Sequence, residues 1–237
     1  MIKKILSTLL ASSVLLFLGA SNATAFDRPT IAIGGAVNYG GYVASGHENE
    51  GNSGRASANG DGEKSETRTV AMEVGYSSVF AELSFADRLT IGIEYMADGV
   101  ETDMESRTDS LSNADDANDA GTSSVKAEFS DMVTAYAEVR LFGGTYIKYG
   151  AMEIDVATKE SLHTDSSYAD TTLDGNAYGI GFKNSWDNGV FFKTETMMHD
   201  WDVLKITATS GATTPNVNSI EGSLDGAVLS VRVGKAF

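Results

Sequence analysis

Leu229-Ser-Val-Arg-Val-Gly-Lys-Ala-Phe237 is the stretch whose reading decides the fold. Leu229, Val231, Val233 and Phe237 alternate with Ser230, Arg232, Gly234 and Ala236. Successive side chains of a strand point to opposite faces, so this spacing gives one apolar face and one small or polar face. The aromatic residue at the end of such a strand, taken with an export signal at the other end of the chain, predicts the closing strand of a membrane-spanning barrel. In such a barrel, lipid-facing and lumen-facing residues alternate. On this reading Leu229, Val231, Val233 and Phe237 form the C-terminal assembly signal.

The other end supplies the export signal. Met1-Ile-Lys-Lys4 is basic, residues 5–18 are largely apolar, and Ala23-Thr-Ala25 gives an A-x-A cleavage site before Phe26. That layout predicts a cleaved signal peptide over residues 1–25 and a barrel over residues 26–237. The competing reading, a transmembrane helix, needs about 20 apolar residues, more than this run offers. No later stretch approaches a helical span, so any crossing must use strands. In hydrocarbon every backbone polar group must be bonded within the protein, and closed barrels are the β solution. The chain has no cysteine, which excludes disulfides and thiolate metal sites.

Composition agrees with an all-β chain. Twenty-five glycines and nine tyrosines accompany only two prolines, Pro29 and Pro215, neither inside an alternating segment. Mean hydropathy is −0.12, low for membrane helices but compatible with strands that turn one face to a polar lumen. Net charge is −16, or −18 without Lys3 and Lys4, which speaks against a nucleic-acid partner.

Along the chain, long and short polar stretches take turns. Alternating segments fall at 30–44, 66–77, 89–97, 124–142, 145–158, 173–184, 190–207 and the terminal strand. Long stretches at about 45–65, 98–123, 159–172 and 208–220 are interleaved with short connections at 78–88, where Val79-Phe-Ala-Glu-Leu83 reads as either a continued strand or a brief helical turn, at Gly143-Gly144 and at Trp186-Asp-Asn-Gly189. The pattern predicts an eight-stranded antiparallel up-and-down transmembrane β-barrel, with short periplasmic turns and longer outer loops. In 66–77 the apolar face holds Val70, Met72, Val74 and Tyr76, opposite Glu73 and Gly75. In 145–158, Lys148 conflicts in parity with Glu153 and Asp155, and a bulge near Gly150 would reconcile them. A soluble β-sandwich also alternates, but it does not predict the long–short rhythm of connections.

Three segments carry a resemblance: Tyr146-Ile-Lys-Tyr-Gly-Ala-Met-Glu-Ile-Asp-Val156, Leu173-Asp-Gly-Asn-Ala-Tyr-Gly-Ile-Gly-Phe182 and Leu229–Phe237. With them the chain resembles small eight-stranded outer-membrane barrels of the OmpA/OmpX type, and more narrowly the porin-like barrels of marine alphaproteobacteria. The resemblance covers residues 27–237. It implies the outer membrane as location, with its lipid, lipopolysaccharide and the barrel-assembly machinery as partners. Lys235 departs from the apolar residue usual two places before the terminal Phe, and its stem can snorkel at the interface.

If apolar faces meet lipid, the charged residues facing the lumen are Glu73, Glu94, Glu138, Arg140, Lys183, Lys193, Glu195 and Arg232. A barrel of eight strands is just wide enough to be filled by side chains, and buried charges must be paired. The set therefore reads first as a structural ion-pair core and second as the lining of a narrow channel. Gly34, Gly75, Gly92, Gly179, Gly181 and Gly234 would make parts of the lumen roomier. Acidity concentrates in the loops: residues 98–123 carry eight acids against Arg107, and 46–66 carry five against Arg55 and Lys64. These loops read first as solvated segments that keep the chain soluble during export and second as sites for divalent cations, although Asp115-Asp-Ala-Asn-Asp119 lacks EF-hand spacing. The chain offers three histidines, His47, His163 and His199. His199-Asp200 resembles a base with its orienter, but it reads more simply as a polar pair beside Trp201 in an aromatic girdle. No G-x-S-x-G or H-E-x-x-H motif occurs. The expectation is a non-enzymatic envelope protein without cofactor or metal. A passive channel for small solutes is the second reading and an outer-membrane lipid hydrolase the remote third.

Overall fold

The computed structural model describes residues 29–49, 65–85, 88–96, 98–102, 105–109, 121–161, 167–209 and 219–237. The expected signal peptide and much of the acidic loops lie outside them. Among the described residues the strands are β1 (Thr30–Asn49), β2 (Ser65–Phe85), β3 (Leu89–Met96), β4 (Val100–Glu101), β5 (Glu105–Asp109), β6 (Gly121–Arg140), β7 (Thr145–Ser161), β8 (Ser167–Tyr168), β9 (Thr171–Ser185), β10 (Val190–Trp201), β11 (Leu204–Thr209) and β12 (Ser219–Ala236).

Eight of these close into a barrel in the order β1-β2-β3-β6-β7-β9-β10-β12, with β12 returning to pair antiparallel with β1. Every barrel strand thus has two hydrogen-bonded neighbours and no edge, which is what a spanning sheet requires. The closing seam runs from Ala32↔Ala236 to Asn49↔Ser219, and the Phe237 N–H donates to the Ile31 carbonyl at 2.9 Å. β4 and β5 continue the pairing with β6 where β3 stops, and β11 does the same beside β12, with β8 added outside it. The walls therefore run on at the loop end. β1 and β2, at 20 and 21 residues, exceed the roughly 9–11 that a tilted span needs.

The predicted rhythm of connections holds, with one open reading decided and one correction. The first short connection is confined to the three residues 86–88. Val79 to Leu83 belong to β2: Ser78, Phe80 and Glu82 alternate inward with Val79 and Ala81 outward, and pairing with β3 continues to Phe85. The parity conflict in β7 is resolved on its partner strand. Tyr146, Lys148, Gly150, Met152, Ile154 and Val156 all face inward, while the register slips in β6 between Ser130 and Val133, where Asp131 takes φ +53°. The other short turns are tight. Gly143 and Gly144 adopt φ +57° and +88°, a left-handed pair suited to a two-residue hairpin.

The interior has two zones. Near the turns it is polar. Towards the loops it is an apolar core of Tyr42, Tyr76, Met96, Met132, Met152, Met197, Leu173 and Trp201, among others. Glycines do not widen this interior. Most inward glycines lie opposite a large side chain on the next strand that covers them: Gly34 opposite Phe80, Gly92 opposite Tyr136, Gly181 opposite Tyr146 and Gly234 opposite Phe191. A Cβ on Gly92 would sit 2.4 Å from Tyr136 Cζ, and one on Gly181 2.4 Å from Tyr146 Cζ. Gly179 lies under Met197, and Gly75 faces outward. The expectation of extra room is therefore corrected: Gly34, Gly92, Gly179, Gly181 and Gly234 are each the seat of a ring or thioether that fills the lumen.

Candidate functional site

The turn-side half of the lumen is crossed by a layer of paired charges. Alternation on β2, β3, β6, β7, β10 and β12 places Glu82, Glu94, Glu138, Lys148, Lys193, Glu195 and Arg232 inward, all of them buried. Four carboxylates thus meet three cations. Lys193 Nζ donates to Glu82 Oε1 at 2.5 Å and to both oxygens of Glu138 at 2.7 and 2.9 Å. Arg232 Nη2 donates to Glu94 Oε2 at 2.5 Å. Its Nε lies 2.8 Å from Glu195 Oε2, close enough for charge pairing but misaligned for a hydrogen bond. Lys148 Nζ joins the two halves, 3.0 Å from Glu195 Oε2 and 3.7 Å from Glu94 Oε2.

Tyrosines and small polar groups complete the layer. The Tyr146 hydroxyl donates to Glu195 Oε1 at 2.6 Å and that of Tyr136 to Glu82 Oε1 at 2.9 Å. A relay runs from β12 to β3: Ser230 Oγ donates to Asn38 Oδ1, Asn38 Nδ2 to Ser78 Oγ, and Ser78 Oγ to Glu94 Oε1, at 2.6, 2.9 and 2.6 Å. Rings also face the cations. Lys148 Nζ is 3.8 Å from the Tyr136 centroid, and the Arg232 guanidinium lies between Phe80 and Tyr136. In a low-dielectric interior unpaired charges are costly, and here each buried charge has at least one partner of opposite sign. The layer leaves two small cavities: about 20 Å³ on the loop side, bordered by Asn38, Glu94 and His199, and about 30 Å³ on the turn side, bordered by Glu138 and Lys183. Each is large enough for one or two waters, which need roughly 10–15 Å³ apiece.

Of the predicted lumen residues, Glu94, Glu138, Lys193, Glu195 and Arg232 come together in this layer. Lys183 is half-buried on its turn side, with Nζ 4.2 Å from the Phe191 centroid, and Arg140 stands exposed at the mouth. Glu73 does not belong. It faces outward, where its carboxylate accepts the Tyr39 hydroxyl at 2.5 Å. The face assignment of residues 66–77 is inverted, because Met72, Val74 and Tyr76 turn into the apolar loop half of the lumen. Sequence reasoning missed Glu82 and Lys148. Glu82 was hidden in the supposed connection, and Lys148 was obscured by acids that face outward. The even spacing Ser78-Phe80-Glu82 and Tyr146-Lys148-Gly150 was the available signal.

His199 is inward and buried, its Nδ1 3.0 Å from the Tyr42 hydroxyl and its ring edge-on to Trp201. Trp201 is equally buried, so this pair is part of the internal core and not of an external girdle. Asp200 points to the opposite face, so it does not orient the His199 ring.

The outward face is apolar between the turns and a polar collar. Ile31, Ile33, Val37, Val79, Ile93, Ile147, Ile180, Leu229, Val231 and Val233 are all large and exposed. Phe142, Trp186 and Phe237 crowd the turn end, and Phe237 is 72% exposed. Loopward, the first outward residues with a carboxylate or amide are Glu73, Asp131, Glu153, Asn176, Asp200 and Asp225, after the hydroxyls of Ser77, Thr194 and Thr196. Tyr39, Tyr95 and Tyr149 donate their hydroxyls to Glu73, Asp131 and Asn176 at this level. From turn to collar each strand offers roughly the 9–11 residues of a tilted span. Beyond the collar, Glu101 pairs with Lys126 and, at 3.2 Å, with Lys159, which also pairs with Glu128. Hydrogen bonds from Lys126 and then Lys159 hold the Glu101 carboxyl below its usual range, and Glu128 and then Glu101 raise the Lys159 ammonium. The most acidic loop segments, 50–64 and 110–120, lie outside the described residues, and with them the candidate cation ligands Asp115, Asp116 and Asp119.

No family model matches the chain, and no curated protein matches it. Solved structures similar to it include the outer membrane protein OprG from Pseudomonas aeruginosa, at 12% identity and TM-score 0.44, covering 86% of this chain and 96% of that one. The outer membrane protein AlkL, solved in lipid bilayers, is 10% identical with TM-score 0.42, covering 92% of this chain and 94% of that one. Neisserial surface protein A is 10% identical with TM-score 0.36, covering 84% and 97%.

Proposed function

We propose that this chain is a non-enzymatic outer-membrane barrel protein that reinforces the envelope and displays acidic loops at the cell surface. One observation carries the reading: a continuous apolar outer band encloses a lumen filled by its own ion pairs. The band suits hydrocarbon, and the polar collar suits the headgroup level. The charge layer suits a plug, since it spans the lumen from β2 to β12 with side chains held at both ends. The collar and the loops beyond it carry the excess negative charge. Divalent cations bridging to lipopolysaccharide are the partners that charge would recruit.

A narrow passive channel is the second reading, favoured by the cavities on either side of the charge layer. The side chains that separate them are flexible Lys, Arg and Glu together with the Tyr136 and Tyr146 rings. Planar-bilayer recording of the full chain distinguishes the two. The structural reading expects a silent bilayer at neutral pH, with folding verified by a mobility shift between unboiled and boiled samples in a detergent gel. Steady discrete openings would replace it with the channel. Absence of the shift, with a water-soluble protein, would remove both.

A further inference from the structure

The turn-side mouth of the barrel has the opposite charge to the rest of the molecule. The chain carries 33 acids and 17 bases. Yet Arg88, Arg140 and Lys183 converge on the cavity of about 30 Å³ at that mouth, together with the hydroxyls of Ser84 and Thr90. Backbone bonds fix the convergence. The Arg140 N–H donates to the Arg88 carbonyl at 2.8 Å, joining the β2–β3 turn to the end of β6. The Lys183 N–H donates to the Gly144 carbonyl at 2.9 Å, which brings β9 beside the β6–β7 turn.

The polar groups already in the cavity do not neutralise these cations. Glu138 borders it, but both its oxygens are taken by Lys193 at 2.7 and 2.9 Å. Tyr146 borders it too, but its hydroxyl proton is committed to Glu195. Among the described residues, no carboxylate lies within ion-pair distance of Arg88, Arg140 or Lys183. Ser84 Oγ and Thr90 Oγ1 are 2.9 Å apart, and a hydroxyl pair sharing one hydrogen bond keeps one proton to donate. Three like charges gathered at a half-enclosed mouth repel one another and concentrate a field that draws anions. Two guanidinium forks and an ammonium match the several acceptor oxygens of a phosphate group.

We propose that this mouth is a binding site for a phosphate-class oxyanion, held by Arg88, Arg140 and Lys183 with the Ser84–Thr90 hydroxyl pair as an added donor. The anion has two available sources: a soluble phosphate, or the headgroup of a lipid in the leaflet beside the turns, where Trp186 and Phe237 stand.

The test uses the full processed chain refolded in neutral-detergent micelles and titrated calorimetrically with inorganic phosphate at fixed ionic strength. Saturable binding at one site is expected, weakened at least about ten-fold in the Arg88→Gln/Arg140→Gln double variant and weakened less in Arg140→Lys, which keeps the charge but loses the fork. Both arginines are exposed at the rim, so the variants keep the heat-shifted gel mobility, and that control separates a failed site from a failed barrel. Wild type without saturable binding, or a double variant that binds like wild type, overturns the proposal. Repeating the titration in nanodiscs of phosphatidylcholine with and without phosphatidylglycerol assigns the source. Loss of phosphate binding with phosphatidylglycerol identifies the lipid headgroup, and equal binding in both identifies a soluble anion.

Discussion

At the residue scale, charges of similar appearance in the sequence have different energetic roles. Arg232 is buried between Glu94 and Glu195. Arg232→Leu leaves two carboxylates short of a partner in the barrel interior, a change that typically costs roughly 3–5 kcal/mol. Urea unfolding in vesicles is expected to show that loss. Glu73 is exposed on the outer face, so Glu73→Gln is expected to move stability by no more than about 0.5 kcal/mol. Equal costs for the two variants would mean that the inward and outward faces are misassigned. Gly92 gives a third contrast. An added methyl would enter the Tyr136 ring, and Tyr136 holds Glu82. Gly92→Ala is therefore expected to cost about 1–3 kcal/mol, against a negligible effect for Gly41→Ala, where a Cβ meets nothing within 4 Å. The charged layer was legible in the sequence for Glu94, Glu138, Lys193 and Arg232, because each has an apolar outward neighbour such as Ile93, Val139, Phe192 or Val231, and for Glu195 because it shares the parity of Lys193. Glu73 was misread because its neighbours Met72, Val74 and Tyr76 are apolar and inward.

At the scale of the element, that misreading has a physical source. Period-two alternation reports the lipid face only where the lumen is polar. In the loop half of this barrel the lumen is an apolar core, so both faces of β2 offer apolar residues there and the parity cannot be read from hydropathy alone. In β7 the difficulty was of another kind. Lys148 alternates correctly with its outward neighbours Ile147 and Tyr149, but Glu153 and Asp155 lie past the apolar band on the outward face. The bulge that the sequence suggested in β7 sits across the ladder at Asp131 of β6. Beyond the collar, β4 is tied to β6 by the Thr102 N–H to Ala127 carbonyl bond of 2.9 Å and by the Glu101 ion pairs. The Glu101 pKa is lowered on folding, so its contribution is present above the unfolded value of about 4.5 and lost as pH falls through the depressed folded value. Lys159, raised on folding, contributes below its unfolded value and loses that only in strong base. Amide exchange at Thr102 is therefore expected to accelerate on strong acidification, relative to the β1–β12 seam, and to be flat from neutrality to mildly alkaline pH. A seam and a β4 contact that respond alike to acid would deny the ion pairs any role in holding β4.

At the scale of the whole molecule, the architecture follows from two constraints acting together. Hydrocarbon outside demands a closed ladder with apolar outward residues. A lumen only as wide as eight strands permit demands that inward residues fill it. The chain meets the second demand with aromatic rings over glycines and ion pairs near the turns, and with methionines and aromatics near the loops. The rhythm of connections, the strand count and the closing seam were legible because they depend on local patterns. The filling was not, because pairs such as Lys193 with Glu82 join residues 111 apart in sequence. The absence of native cysteine permits a direct measurement of the central claim, that an apolar exterior encloses a packed interior. Single cysteines at positions 227–233 of β12, spin-labelled in refolded protein in lipid vesicles, report collision with oxygen, which partitions into lipid, and with a water-soluble nickel reagent. A period of two is expected, with oxygen reaching labels at Leu229, Val231 and Val233 and neither reagent reaching those at Val228, Ser230 and Arg232. Uniform access along the strand, or nickel reaching the odd-numbered set, would contradict it.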